Sequence, residues 1–153
     1  MNIAVIFAGG TGKRMHSGAI PKQFLELHAK PLIVYTLEKF QNHQDIDAIV
    51  VVCLKSWIAR LEKLVDTYGL NKVRAITPGG ETPQESAFQG LLKVREFAKD
   101  DDIVLVHDGV RPLVDESTIT KGIACTRKNG NAITVTPAIE TIFLDNTREG
   151  EVG

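Results

Sequence analysis

The stretch Asn2-Ile3-Ala4-Val5-Ile6-Phe7-Ala8-Gly9-Gly10-Thr11-Gly12-Lys13-Arg14-Met15 decides the fold. Residues 2–7 form an apolar run of strand length, and Ile3, Val5, Ile6 and Phe7 suit a strand buried on both faces. The glycines at 9, 10 and 12 lack a Cβ, so backbone N–H groups there can approach phosphate oxygens closely. Lys13, Arg14 and, further on, Lys22 add the positive charge that a polyphosphate requires. Two familiar phosphate motifs do not match. The Walker pattern needs Ser or Thr after Gly12-Lys13, where Arg14 stands, and the dinucleotide fingerprint needs a third glycine where Met15 stands. For the glycines alone, a turn made for backbone reasons is the competing reading.

Outward from this stretch, apolar runs at residues 2–7, 48–54, 73–76, 103–107 and 132–135 alternate with segments of helical period. That alternation predicts an α/β fold, a Rossmann-like, mostly parallel sheet with helices on both faces. Ile33, Leu37 and Phe40 share one helical face, Ile58, Leu61, Val65 and Tyr68 a second, and Ala87, Leu91 and Val94 a third. Asp115 is placed to cap a fourth helix that Gly130 ends. In such a sheet, ligands bind beyond the carboxyl ends of the strands. The loops after the first, third and fourth strands, at residues 9–22, 79–86 and 108–111, should therefore share one edge.

Composition bounds the rest. The 153 residues are 43% hydrophobic, enough for one domain with a single core. Lys plus Arg number 18 against 19 Asp plus Glu, so no global basic field points to nucleic acid, and any affinity for phosphate must be local. No run has the length of a membrane helix and no signal peptide opens the chain, which predicts a cytoplasmic protein. Cys53 and Cys125 lack metal-ligand spacing and read as reduced, packed thiols.

A second block, Pro21-Lys22-Gln23-Phe24-Leu25-Glu26-Leu27, joins the glycine loop. Two more follow in order: Gly79-Gly80-Glu81 with Ser86-Ala87-Phe88-Gln89-Gly90-Leu91, and Val106-His107-Asp108-Gly109-Val110-Arg111-Pro112. With these four blocks the chain resembles the cytidylyltransferases that act on 2-C-methyl-D-erythritol 4-phosphate or on ribitol 5-phosphate. The resemblance implies attack of a polyol phosphate on the α-phosphate of CTP, with release of pyrophosphate, in isoprenoid or cell-wall polyol biosynthesis. It assigns Arg14 and Lys22 to catalysis, as cations that stabilise charge at the reacting phosphorus. It assigns Ala8, Gly9, Gly10, Thr11, Gly12, Gly79, Gly80, Glu81 and Ser86 to the nucleotide, the last four to cytosine. Asp108, Arg111 and Thr141 would meet the acceptor substrate. Asp108 would also hold a divalent cation, Mg²⁺, as a hard oxygen ligand. The residues leave bland alternatives open: Asp108 as a turn former, Ser86 as a partner of local backbone, and Thr141 as a strand residue. His107 reads as a structural strand-end histidine.

One departure is plain. Pro83 stands where the family usually carries an arginine, which bears on nucleotide choice. Gly9-Gly10-Thr11, Trp57 and Val110 look more like the ribitol enzymes, so ribitol 5-phosphate is the favoured acceptor. The resemblance also implies a homodimer built on an extended arm, and sequence beyond Gly153. The single domain, residues 1–153, is therefore expected to be incomplete at its C-terminus. The competing functions are a nucleotide-binding domain without turnover, a sugar-1-phosphate nucleotidyltransferase using another nucleotide, and a dinucleotide-dependent reductase, which the absent third glycine disfavours.

Overall fold

In the computed structural model, which describes residues 1–10 and 20–137, the elements follow in chain order. They are β1 (Asn2–Ala8), β2 (Glu26–Leu27), β3 (Lys30–Pro31), α1 (Leu32–Gln41), β4 (Ala48–Cys53), α2 (Ile58–Thr67), β5 (Val73–Pro78), α3 (Pro83–Arg95), β6 (Ile103–Asp108) and α4 (Glu116–Asn129). Two short 3₁₀ turns, Lys22–Phe24 and Lys55–Trp57, precede β2 and α2.

β1, β4, β5 and β6 form one parallel sheet in the order β5-β4-β1-β6. β4 is buried along its whole length and β1 nearly so, as their unbroken apolar runs require of strands covered on both faces. β5 and β6 are the edges and are only partly covered. The chain steps outward from β1 to β4 to β5, then returns across β1 to β6. Because crossovers are right-handed, that reversal sends α3 to the face opposite the other helices. The core divides accordingly. Ala4, Ile6, Ile49 and Val51 pack with Ile33, Leu37, Phe40, Leu61, Ile119 and Ile123 of α1, α2 and α4. On the other face Ile3, Val5, Val50 and Val52 pack with Val94 of α3.

The first two predicted helical faces pack against the core; the third does so only in part. Val94 is buried and Ala87 half-buried, but Leu91 is 42% exposed, and Gly90 takes the place against the sheet that Leu91 was expected to fill. A Cβ at Gly90 would lie 2.7 Å from Val5 Cγ1 and 2.8 Å from Val52 Cγ2. The missing side chain thus lets the helix backbone approach the sheet and turns Leu91 away from it.

A second correction concerns residues 132–135, predicted as a strand. They belong to no regular element, with Ile133 86% and Val135 83% exposed. Alternating apolar residues make a strand only where a neighbouring strand takes their hydrogen bonds and a face is covered, and among the described residues neither condition is met there. Of the two thiols, Cys53 is free and buried as expected, whereas Cys125 is free but exposed on α4. Burial pushes the Cys53 thiol up to about 11. Asp115 caps α4 as predicted, accepting from Thr118 N at 2.7 Å, and Gly130 ends it in the left-handed conformation at φ 86°.

Candidate active site

Three loops leave the carboxyl ends of β1, β5 and β6 and meet around a single cavity of about 570 Å³. It is lined by Gly9 and Gly10 after β1, by Gly80, Glu81 and Ser86 after β5, and by Asp108 at the end of β6, with apolar walls from Phe7, Leu54 and Pro83. This is the crevice at the point where strand order reverses, the expected ligand position in an open parallel sheet. The volume suits a small-molecule site.

The β5 loop is shaped by its own helix. Thr82 Oγ1 accepts from Glu85 N at 3.1 Å, while Glu85 Oε2 accepts from Glu81 N at 2.7 Å and Thr82 N at 3.3 Å. This capping box was readable in Thr82-Pro83-Gln84-Glu85, a Thr-x-x-Glu with proline at the first helical position. Sequence reading passed over it. Ser86 Oγ accepts from Gly80 N at 3.1 Å, so its hydroxyl serves the local backbone while also lining the cavity. Pro83 opens α3 and gives this wall an apolar ring in place of a cation.

The β6 loop is held against β1. Gly109 N donates to Phe7 O at 2.8 Å, and the buried Thr36 hydroxyl donates to Gly109 O at 2.8 Å. A Cβ on Gly109 would sit 2.6 Å from Phe7 O, so only glycine fits. The Asp108 carboxylate accepts from Val110 N at 3.1 Å through Oδ1 and from Arg111 Nε at 3.3 Å through Oδ2. An exposed pair of this kind contributes about 0–1 kcal/mol, so a substrate phosphate can take Arg111 from it. His107 bonds Arg111 O through Nε2 at 3.0 Å and packs its ring on Phe40, a structural role as read from the sequence.

Lys22 lies exposed on the 3₁₀ turn, and neither it, Arg111, Ala8 nor Gly79 is among the lining residues. Gly79 N is instead bonded to Cys53 O at 3.0 Å, tying the β5 loop to β4. Thr11, Gly12, Arg14 and Thr141 lie outside the described residues. Gln23, given no role in the sequence reading, contacts the described start of the glycine loop directly. Its Nε2 donates to Ala8 O at 2.5 Å and Gly10 O at 3.1 Å.

For a divalent cation, no group of three His, Cys, Asp or Glu side chains that could hold one occurs among the described residues. Asp108 on the cavity wall nevertheless fits Mg²⁺, which is commonly held by one or two carboxylates together with substrate phosphates and water.

Comparison with known proteins agrees with the parallel α/β fold. A ribitol-5-phosphate cytidylyltransferase of Vibrio parahaemolyticus is 51% identical over 95% of this chain and 62% of its own length. One from Streptococcus agalactiae is 50% identical over 95% and 61%. A 2-C-methyl-D-erythritol 4-phosphate cytidylyltransferase of Clostridium botulinum is 42% identical over 97% and 63%. The chain therefore spans a little over three fifths of these relatives. The crystal structure of 4-diphosphocytidyl-2C-methyl-D-erythritol synthase from Anaerococcus prevotii superposes with a TM-score of 0.75 at 28% identity, over 95% of this chain and 59% of that one. The family model of IspD, 2-C-methyl-D-erythritol 4-phosphate cytidylyltransferase, matches residues 2–150, and the chain belongs to that family.

Proposed function

We propose that this chain binds CTP and takes part in transferring its cytidylyl group to a polyol phosphate, ribitol 5-phosphate in preference to 2-C-methyl-D-erythritol 4-phosphate. The observation that carries the reading is the convergence of Gly9, Gly10, Gly80, Glu81, Ser86 and Asp108 on one cavity at the sheet's switch point. The acceptor preference is supported by relatives named for ribitol 5-phosphate at 50–51% identity; a further relative of that name is 40% identical and the methylerythritol enzyme 42%.

In this reaction an oxygen of the acceptor phosphate forms a bond to the α-phosphorus of CTP. The bond from that phosphorus to the bridging oxygen breaks, and pyrophosphate leaves with the electron pair. Both partners are anions, so catalysis consists of positioning and charge stabilisation rather than proton removal. Lys22 and Arg14 supply the cations at the reacting phosphate. Backbone groups of Gly9, Gly10, Thr11 and Gly12 receive the phosphates, while Gly80, Glu81 and Ser86 flank the base, with Ala8 and Gly79 holding these two loops to the sheet. Arg111, released from Asp108, and Thr141 hold the acceptor. Asp108 would hold Mg²⁺, which would supply charge neutralisation at the phosphates. The protein acts in the cytoplasm and as a homodimer in this reading. Among the described residues no helix is long and apolar enough to cross a membrane.

The test is pyrophosphate release from CTP and Mg²⁺ with each acceptor in parallel, and with other nucleotides as controls. Release with one acceptor establishes the reaction and its substrate. CTP binding without release identifies either a binding domain or a chain that needs the part of its relatives it does not span for turnover, and no response to CTP removes the reading.

A further inference from the structure

We propose that Gln23 is a positioning residue for the nucleotide phosphates, holding the glycine loop in the conformation that receives them. The inference rests on the nucleotide-binding reading above and deepens it. Gln23 is 2% exposed, and its side-chain nitrogen donates to two carbonyls at the carboxyl end of β1 and just beyond it, Ala8 O at 2.5 Å and Gly10 O at 3.1 Å. A primary amide offers two donors from one neutral atom, so it can satisfy both oxygens without bringing a charge into buried space.

The consequence is one of polarity. The described backbone contains no cis peptide bond, and in a trans peptide the C=O and N–H point in opposite directions. Drawing the Ala8 carbonyl toward Gln23 therefore aims the Gly9 N–H away from it. Gly9 and Gly10 line the cavity and Gln23 does not. The loop thus turns the Ala8 and Gly10 carbonyls toward Gln23, and in this proposal the Gly9 N–H is the donor left for the ligand, the polarity that an anion needs.

Gln23 can impose this because its own position is fixed. The turn closes through Phe24 N to Pro21 O at 2.9 Å, and the buried Phe24 ring stacks on Trp57 with centroids 4.6 Å apart. Lys22 precedes Gln23 on the same turn. One short segment therefore carries the exposed cation and clasps the glycine loop.

Two variants test the role. Gln23→Met keeps length and bulk but has no donor, and Gln23→Glu keeps the shape while replacing the NH₂ by oxygen. CTP and cytidine are titrated by NMR into the millimolar range against the wild-type chain and both variants. The emission of Trp57, the only tryptophan, reports on the turn it stacks against. We expect CTP affinity to fall about tenfold or more in both variants, with cytidine affinity and Trp57 emission close to wild type. A parallel loss of CTP and cytidine binding, or loss of the fold in both variants, assigns Gln23 a merely structural role and overturns the proposal. Variants that bind CTP like wild type overturn it alone, whereas a wild-type chain that ignores CTP removes the nucleotide reading together with it.

Discussion

Lys22 has the arrangement expected of a side chain kept for a ligand: it is exposed on a turn whose neighbours Gln23 and Phe24 are both buried. Its backbone is fixed while its ammonium can move to a phosphate. Lys22→Ala and Arg14→Ala should each lower turnover about 100-fold or more, the usual scale for one preorganised charge, with circular dichroism unchanged. Near-normal rates in both would sink the assigned roles. The cysteines make a sharper pair. Burial raises the Cys53 thiol to about 11, so at neutral pH a thiol reagent should modify exposed Cys125 in the native protein and reach Cys53 only on unfolding. Below the ordinary thiol range both folded and unfolded chains hold this proton. As pH rises toward about 11 only the folded chain keeps it, so Cys53 withdraws stability across that alkaline window. Urea midpoints measured from neutral to alkaline pH, compared with Cys53→Ala, should show the difference.

Among the elements, α3 is the one whose placement hangs on a single atom that is not there. Gly90→Ala would put a methyl group within 2.8 Å of Val5 and Val52 in the core. Overpacking of this kind costs about 1–3 kcal/mol, against a helix-propensity gain of at most ~1 kcal/mol. The urea midpoint should fall, and the β5 loop that α3 caps should shift with the helix. At the start of α4, the backbone hydrogen bond from Thr118 holds the Asp115 carboxyl below its usual value, helped by the Ser117 hydroxyl. A depressed carboxyl contributes stability above its unfolded value and loses it as pH falls through the folded one. Acidification below about pH 4 should thus fray α4, seen as a helicity loss that is absent from Asp115→Ala. The short ladder of β2 and β3 shows what local reading cannot reach. His28 and Ala29 turn it with φ of 50° and 59°, a conformation usually signalled by Asn-Gly. Neither residue announces the turn; it is held by the bond from Leu32 N to Leu25 O and by Tyr35 Oη to Leu27 O.

At the scale of the whole molecule, the sheet's switch point makes the site a joint product of β1, β5 and β6, so ligand binding should stabilise the domain as a unit. CTP at 100 times its dissociation constant stabilises the folded state by about 2.7 kcal/mol, which for a chain of this size raises Tm by roughly 5–10 °C. A thermal shift with CTP and none with ATP is the expected outcome. Equal shifts with both would assign the affinity to polyphosphate alone and remove the base preference attached to Gly80, Glu81 and Ser86.

The sequence by itself determined the four parallel strands, the helix faces of α1 and α2, the caps of α4 and the edge on which the motif loops gather. These depend on local periodicity, capping chemistry and the direction of parallel strands, all of which are written in consecutive residues. Only the tertiary structure decided which face of α3 is inward, because that rests on the distance from Gly90 to two valines from different strands. It likewise decided that residues 132–135 form no strand, since an alternating pattern cannot supply its own partner. The contact of Gln23 with Ala8 and Gly10 belongs to the same class. A buried amide reveals its purpose only when chain segments 13 and 15 residues away are brought within hydrogen-bond distance of it.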